Sequence, residues 1–168
     1  MTSSSNSNPA RIAVAGAGAI GMAHIAVIGQ SPHCVLSAIV DPSASAVPVA
    51  AAHGVPLYTS LDALLAQDKP DGIILATPNA LHVTQALQCM AAGVPILLEK
   101  PIATTVQEAQ ILVDHVASTH AKVLIGHHRA HSAIMAKAKQ VVDSGRLGPL
   151  VAVMGSALFF KPDSYFAD

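Results

Sequence analysis

The chain is short of the residues that usually mark a specialised surface. It has no tryptophan, and aromatic residues make up only 3% of its 168 positions. Charged residues amount to 11%, nine basic against ten acidic, and the net charge is −1 with no cluster of like charge. Without a basic patch the surface cannot neutralise a row of phosphates, so neither nucleic acid nor an anionic membrane is an expected partner. Cysteine is scarce as well. Cys34 and Cys89 each lie in apolar sequence, which predicts reduced core thiols, a reducing compartment and a cytoplasmic protein. No basic residue precedes Arg11, and the apolar stretch 12–29 contains His24 and four glycines. That stretch therefore suits neither a signal peptide nor a membrane span.

What the chain has in quantity is small apolar side chains. Hydrophobic residues are 52% of the total, dominated by alanine and valine, as a buried parallel sheet packed by small-residue helices requires. The length suits one domain with a real core. Residues 1–9, rich in serine and asparagine, are expected to form a disordered tail. After them, strand and helix patterns alternate. Strands are predicted at Ile12–Ala15, Val35–Val40, Leu57–Tyr58, Gly72–Ala76, Ile96–Leu98 and Val123–Gly126. Helices are predicted at Ile20–Ile28, Ser43–His53 (Pro48 delaying or breaking it), after a Ser60 cap, Leu81–Ala92 and Thr105–Thr119, the last capped by Thr104 or Thr105. Repeated βαβ units give an α/β fold: a doubly wound parallel sheet, one dinucleotide-binding Rossmann domain over 10–126.

The first strand runs straight into Gly16-Ala17-Gly18-Ala19-Ile20-Gly21, a Gly-x-Gly-x-x-Gly, and Asp41 ends the second strand twenty residues after Gly21. Each part has a physical task in holding a dinucleotide. Gly16 permits the tight turn, Gly18 lets the backbone approach a pyrophosphate, and Gly21 lets the next helix pack on the sheet. That helix opens over Ala19, Ile20 and Gly21, where unpaired N–H groups and the positive dipole end suit phosphate. The Asp41 carboxylate can accept from an adenosine ribose diol and repels a 2′-phosphate. No arginine lies among residues 42–52, so NAD is expected over NADP. The competing role for Asp41 is an Asx cap of the next helix.

In such a sheet ligands sit beyond the carboxyl ends of the strands. The distinctive polar residues fall there: Thr77-Pro78-Asn79, Glu99-Lys100-Pro101 and His127-His128-Arg129. Thr77 and Asn79 can hydrogen-bond a ribose or pyrophosphate, or cap the helix that follows. The histidine cluster has no acid or cysteine within ten residues, so no metal site is expected.

Together with the glycine fingerprint, Glu99-Lys100-Pro101, the run Ala76-Thr77-Pro78-Asn79-Ala80-Leu81-His82 and Ser144-Gly145-Arg146-Leu147-Gly148 carry a family likeness. The chain resembles the amino-terminal half of the glucose–fructose oxidoreductase / inositol dehydrogenase (Gfo/Idh/MocA) family. The resemblance implies hydride transfer between NAD and the CH–OH of a sugar, inositol or related polyol. It places Lys100 beside the nicotinamide and on the reacting hydroxyl or carbonyl, as the catalytic and a substrate-binding residue. There Lys100 can polarise the oxygen and share in its proton transfer, with Glu99 steadying the lysine or its loop. The resemblance also raises the question whether the Lys100–Pro101 bond is cis. It adds Thr77, Pro78, Asn79, His82 and Glu99 to the cofactor's surroundings, although His82 also suits a packed or solvated helix residue. His128 or Arg129 becomes a substrate-binding group, with capping or exposure as the alternative. Residues 127–148 then form a connecting helix and exit, and 149–168, with Val151–Phe160 as the strand itself, the first strand of a second α/β domain that completes the substrate site and a homo-oligomer interface. On that expectation the chain is a fragment that binds NAD and turns over little alone. A non-catalytic NAD-binding module and a Rossmann-like domain for another ligand are the competing function classes.

Overall fold

A computed structural model describes residues 8–156, 158, 160 and 163. The chain divides into two units after His127, and each is described by itself.

The first unit is a six-stranded parallel sheet in the order β3-β2-β1-β4-β5-β6. Its elements are β1 (Ala10–Ala15), α1 (Ala19–Ile28), β2 (Cys34–Val40), α2 (Ala46–His53), β3 (Leu57–Tyr58), α3 (Leu61–Gln67), β4 (Gly72–Leu75), α4 (His82–Ala91), β5 (Ile96–Leu98), α5 (Val106–Thr119) and β6 (Val123–Ile125). Alternate side chains of β1 show how the layers form. Ala13 and Ala15 face a cluster with Leu61 and Leu64 of α3, Ala86 and Cys89 of α4 and Leu112 of α5. Val14 faces the other side, with Ile25 and Ile28 of α1 and Ala50 of α2. Helices thus cover both faces, and each large side chain buried between layers contributes about 1.5–3 kcal/mol. Both cysteines are free thiols. Burial pushes the Cys89 thiol up to about 12, which keeps it protonated and unreactive.

The elements differ from the sequence reading mainly at their ends. The first strand starts at Ala10 because its amide donates to the His33 carbonyl oxygen (2.9 Å). The second helix starts at Ala46, which leaves Pro48 in the first turn, where no helical N–H is required. Asn79–Leu81 is a short 3-10 turn, so α4 begins at His82, and neither Thr77 nor Asn79 caps it. Ser60 does cap α3 through Ala63 N. At α5 both threonines serve: Thr105 is the cap, and Thr104 donates to Glu108 from its hydroxyl (2.6 Å) and amide (3.1 Å). Those two bonds hold the Glu108 carboxyl below its ordinary range.

The second unit contains a 3-10 turn at His128–His131 and helix α6 (Ala133–Asp143), capped by Ser132 through Met135 N. The strand expected over 151–160 is absent at the described residues 151–156, 158 and 160. An extended segment needs a neighbouring strand for its backbone bonds, and no described residue supplies one. Residues 157 and 159, like residues 1–7 of the expected tail, lie outside the described residues. No helix among the described residues is long and apolar enough to cross a membrane.

Close packing of α1 on the sheet rests on Gly21, where a Cβ would come within 1.8 Å of the Gly16 carbonyl oxygen. Gly21→Ala is expected to lower stability by about 3 kcal/mol or more, beyond ordinary overpacking because backbone must move. Urea denaturation checks this, and an unchanged midpoint would contradict the packing described.

Candidate functional site

The strands end level with one another. Ala15 pairs with Val40 and with Leu75, Leu75 with Leu98, and Leu98 with Ile125. The residues just beyond continue the alignment. Gly16 N donates to Val40 O (2.8 Å), Ala76 N to Ala15 O (2.8 Å), Glu99 N to Leu75 O (3.0 Å) and Gly126 N to Leu98 O (2.8 Å). The glycine loop, Asp41, Thr77 and Glu99-Lys100 therefore leave one edge of the sheet side by side.

Gly16 adopts φ +90°, and a Cβ on it would meet the Ala76 carbonyl oxygen at 2.5 Å. Any side chain there is excluded on both counts. Gly18 differs: its backbone is extended and nothing lies within 4 Å of a built Cβ. The loop consequently presents bare backbone to open space. Helix α1 starts with no side-chain cap and no acidic residue in its first turn. That leaves the N–H groups over Ala19, Ile20 and Gly21 for an anion.

Asp41 is held against this loop. One carboxylate oxygen accepts from Ala17 N (2.7 Å), and the other from Ser43 N (2.8 Å). The two roles weighed from sequence are thus compatible. The carboxylate forms an Asx turn with Ser43 and is also fixed beside the glycine loop, with lone pairs to spare for hydroxyl donors.

On the other side, the Thr77 hydroxyl donates to Gln85 Oε1 (2.5 Å). Asn79 is exposed. His82 is buried, 1% exposed. Its Nδ1 lies 2.7 Å from the Pro101 carbonyl oxygen and its Nε2 2.9 Å from that of Thr77. Of the two roles open to His82, the structure shows the packed one: it ties the loop after β4 to the loop after β5.

Lys100 is exposed, and the Lys100–Pro101 bond is cis. Glu99 turns inward, its side chain 12% exposed. It accepts from Lys100 N (3.2 Å) and meets His24 Nε2 at 2.9 Å. Sequence reasoning singled out Glu99 but not His24. The available signal was that His24 follows Gly21 by three positions, on the same face of α1. His128 and Arg129 belong to the 3-10 turn of the second unit. Among the described residues no group of three or more His, Cys, Asp or Glu could hold a metal ion.

An apolar groove of about 810 Å³ lies beside α1, lined by residues such as Val27, Ile74, Leu97 and Leu124. Its walls are mainly aliphatic, with His24, Ser31, Asp71 and Lys122 as the polar residues of the lining, which suits a polar, charged dinucleotide less well than the strand-end site.

A parallel sheet in this strand order, with a glycine turn after β1 and an acid after β2, defines a dinucleotide-binding Rossmann domain. Comparison with known proteins narrows the class. Residues 10–127 match a family model described as an oxidoreductase family with an NAD-binding Rossmann fold. The chain belongs to this Gfo/Idh/MocA family. It is 29% identical over 143 residues to the rhizopine catabolism protein MocA of Rhizobium meliloti, a match covering 85% of this chain and 45% of the relative. It is 34% identical over 148 residues to the inositol 2-dehydrogenase of Agrobacterium fabrum, covering 85% and 44%. Among solved structures, the WlbA dehydrogenase of Bordetella pertussis, in complex with NADH and UDP-GlcNAcA, superposes with a TM-score of 0.79 at 29% identity. That match covers 84% of this chain and 41% of the other. The chain thus spans less than half the length of these proteins.

Replacing His82 by leucine removes the partner of two carbonyls at a buried position. His82→Leu is expected to cost about 2–3 kcal/mol of stability in urea denaturation. A loss near zero would mean that the two loops hold without it.

Proposed function

We propose that this chain is the nucleotide-binding half of an NAD-dependent oxidoreductase that transfers hydride between NAD and the CH–OH of a sugar, inositol or related polyol. One observation carries the reading: the glycine loop, Asp41, Thr77 and Lys100 emerge together at the level carboxyl ends of β1, β2, β4 and β5. The residues present fit the cofactor. Open space at Gly18 and an uncapped α1 suit a pyrophosphate, and Asp41 beside the loop suits a ribose diol. No lysine or arginine among residues 42–52 would neutralise a 2′-phosphate, which favours NAD over NADP. The NADH-bound WlbA structure and the inositol 2-dehydrogenase relative support the cofactor and the polyol class.

When bound, NAD supplies the hydride acceptor. The chain's own part falls to Lys100, whose Nζ hydrogen-bonds the reacting oxygen and shares in moving its proton as the alcohol becomes a carbonyl. Thr77, Pro78 and Asn79 line the cofactor's path. Glu99 and His82 act beneath, by fixing the Lys100–Pro101 segment. His128 and Arg129 supply substrate contacts from the segment after β6.

Lys100→Ala in the whole protein carrying this chain is expected to lower NAD-dependent polyol oxidation about a hundredfold or more. NAD affinity by calorimetry should change by less than about threefold. Unchanged turnover would remove Lys100 from the chemistry and favour a non-catalytic NAD-binding module. Gly18→Ala, which meets no atom in the fold, should leave the unfolding midpoint in place and weaken NAD binding about tenfold. Undiminished binding would place the pyrophosphate elsewhere.

A further inference from the structure

His24 and Gly126 lie 102 positions apart in sequence, yet both touch the environment of one carboxylate. Glu99 leaves the end of β5 and turns back into the fold instead of out toward the ligand face. Its Oε1 is 2.9 Å from His24 Nε2, and its Oε2 accepts from the backbone N–H of Lys100 at 3.2 Å. The carboxylate occupies space that Gly126 leaves open beyond β6. A Cβ there would stand 2.7 Å from Oε1 and 3.0 Å from Oε2. A carboxylate at the start of a loop would ordinarily be free to rotate into water. This one is fixed by a ring from α1 on one side and by a missing side chain on the other. Its second oxygen then sets the amide of the residue proposed to do the chemistry.

We propose that His24 is a positioning residue for Lys100, acting through the Glu99 carboxylate in the slot that Gly126 leaves open. The assignment rests on the proposed role of Lys100, although its geometric part does not. In a partly buried site, a bond between a charged carboxylate and an imidazole is stronger than its exposed counterpart. Loss of His24 frees Glu99 to turn to water, and the Lys100 amide loses a fixed acceptor. Because His24 sits on α1, three residues beyond Gly21, the same contact links the helix that receives the phosphates to the loop that carries the lysine.

Two readouts test it. The first is amide hydrogen exchange at Lys100, by NMR, in the chain as it stands. His24→Leu is expected to speed that exchange about tenfold relative to wild type, with exchange in the centre of β4 unchanged. Glutamine places an amide near the position of the imidazole Nε2, so His24→Gln should restore the rate to within about threefold. Gly126→Ala is expected to act as His24→Leu does, because the added methyl displaces the flexible end of Glu99 rather than backbone. The double variant should be no faster than either single one. The second readout is turnover in the whole protein: His24→Leu should lower kcat about tenfold, with NAD affinity and substrate KM within about twofold. Unchanged Lys100 exchange in His24→Leu, or effects that multiply in the double variant, would overturn the proposal. So would a loss confined to NAD affinity. If wild-type protein neither binds nor reduces NAD, the proposed function fails, and the exchange experiment still decides whether His24 sets the Lys100 segment.

Discussion

The whole arrangement depends on one constraint: the parallel strands end level with one another. Register fixes this, because Ala15, Val40, Leu75, Leu98 and Ile125 are joined as neighbours across the sheet. The backbone bonds of the next residues extend the alignment by one step. A parallel ladder shifted by a single residue would turn every side chain to the other face. Ala13 and Ala15 fit the helices on one face and the larger Val14 those on the other, so a shift from Ala13 onward would exchange small and large side chains between the two cores. Core packing therefore determines where the loops start, and the loops inherit their common edge from the core.

Given that edge, the loop residues divide into those that face outward and those that hold them. Gly18, Asn79 and Lys100 are exposed. Asp41, Glu99 and His82 are engaged with backbone: Ala17 of the glycine loop and Ser43 of its own turn for the aspartate, the adjacent Lys100 for the glutamate, Thr77 and Pro101 for the histidine. A site on loops is only as exact as the shell behind it. Here Asp41 ties its own loop to the glycine loop and His82 ties the threonine loop to the lysine loop, so these loops do not rest on their own stiffness.

The residues legible in the sequence were those marked by local patterns, whether exposed like Gly18 and Lys100 or buried like Gly16 and Gly21. Gly16, Gly18 and Gly21 announce themselves by spacing, Asp41 by its distance from them, and Lys100 by the Glu-Lys-Pro motif that carries the family resemblance. All are local patterns. The element types were legible for the same reason, whereas their ends moved by a residue or more where a backbone partner lay far away, as at Ala10 and His33. The contacts that hold the site from behind were not legible, or only half so. His24 and Glu99 are 75 positions apart, and nothing local marks Gly126 as the space that Glu99 needs. His82 could be placed on its helix but not turned inward until the Pro101 carbonyl was seen beside it. The segment 151–160 looked like a strand from its own residues, but a strand also requires a neighbour.

Family membership and the strand-end geometry together make one central claim: a dinucleotide lies along this edge, adenosine end at Asp41 and nicotinamide end at Lys100. A crystal structure of the chain with NAD tests it most directly. The account predicts the ribose diol on the Asp41 carboxylate, the pyrophosphate over Gly18 and the first turn of α1, and the nicotinamide beside Lys100. NAD found in the apolar groove beside α1, or lying along the edge with its nicotinamide remote from Lys100, would contradict it.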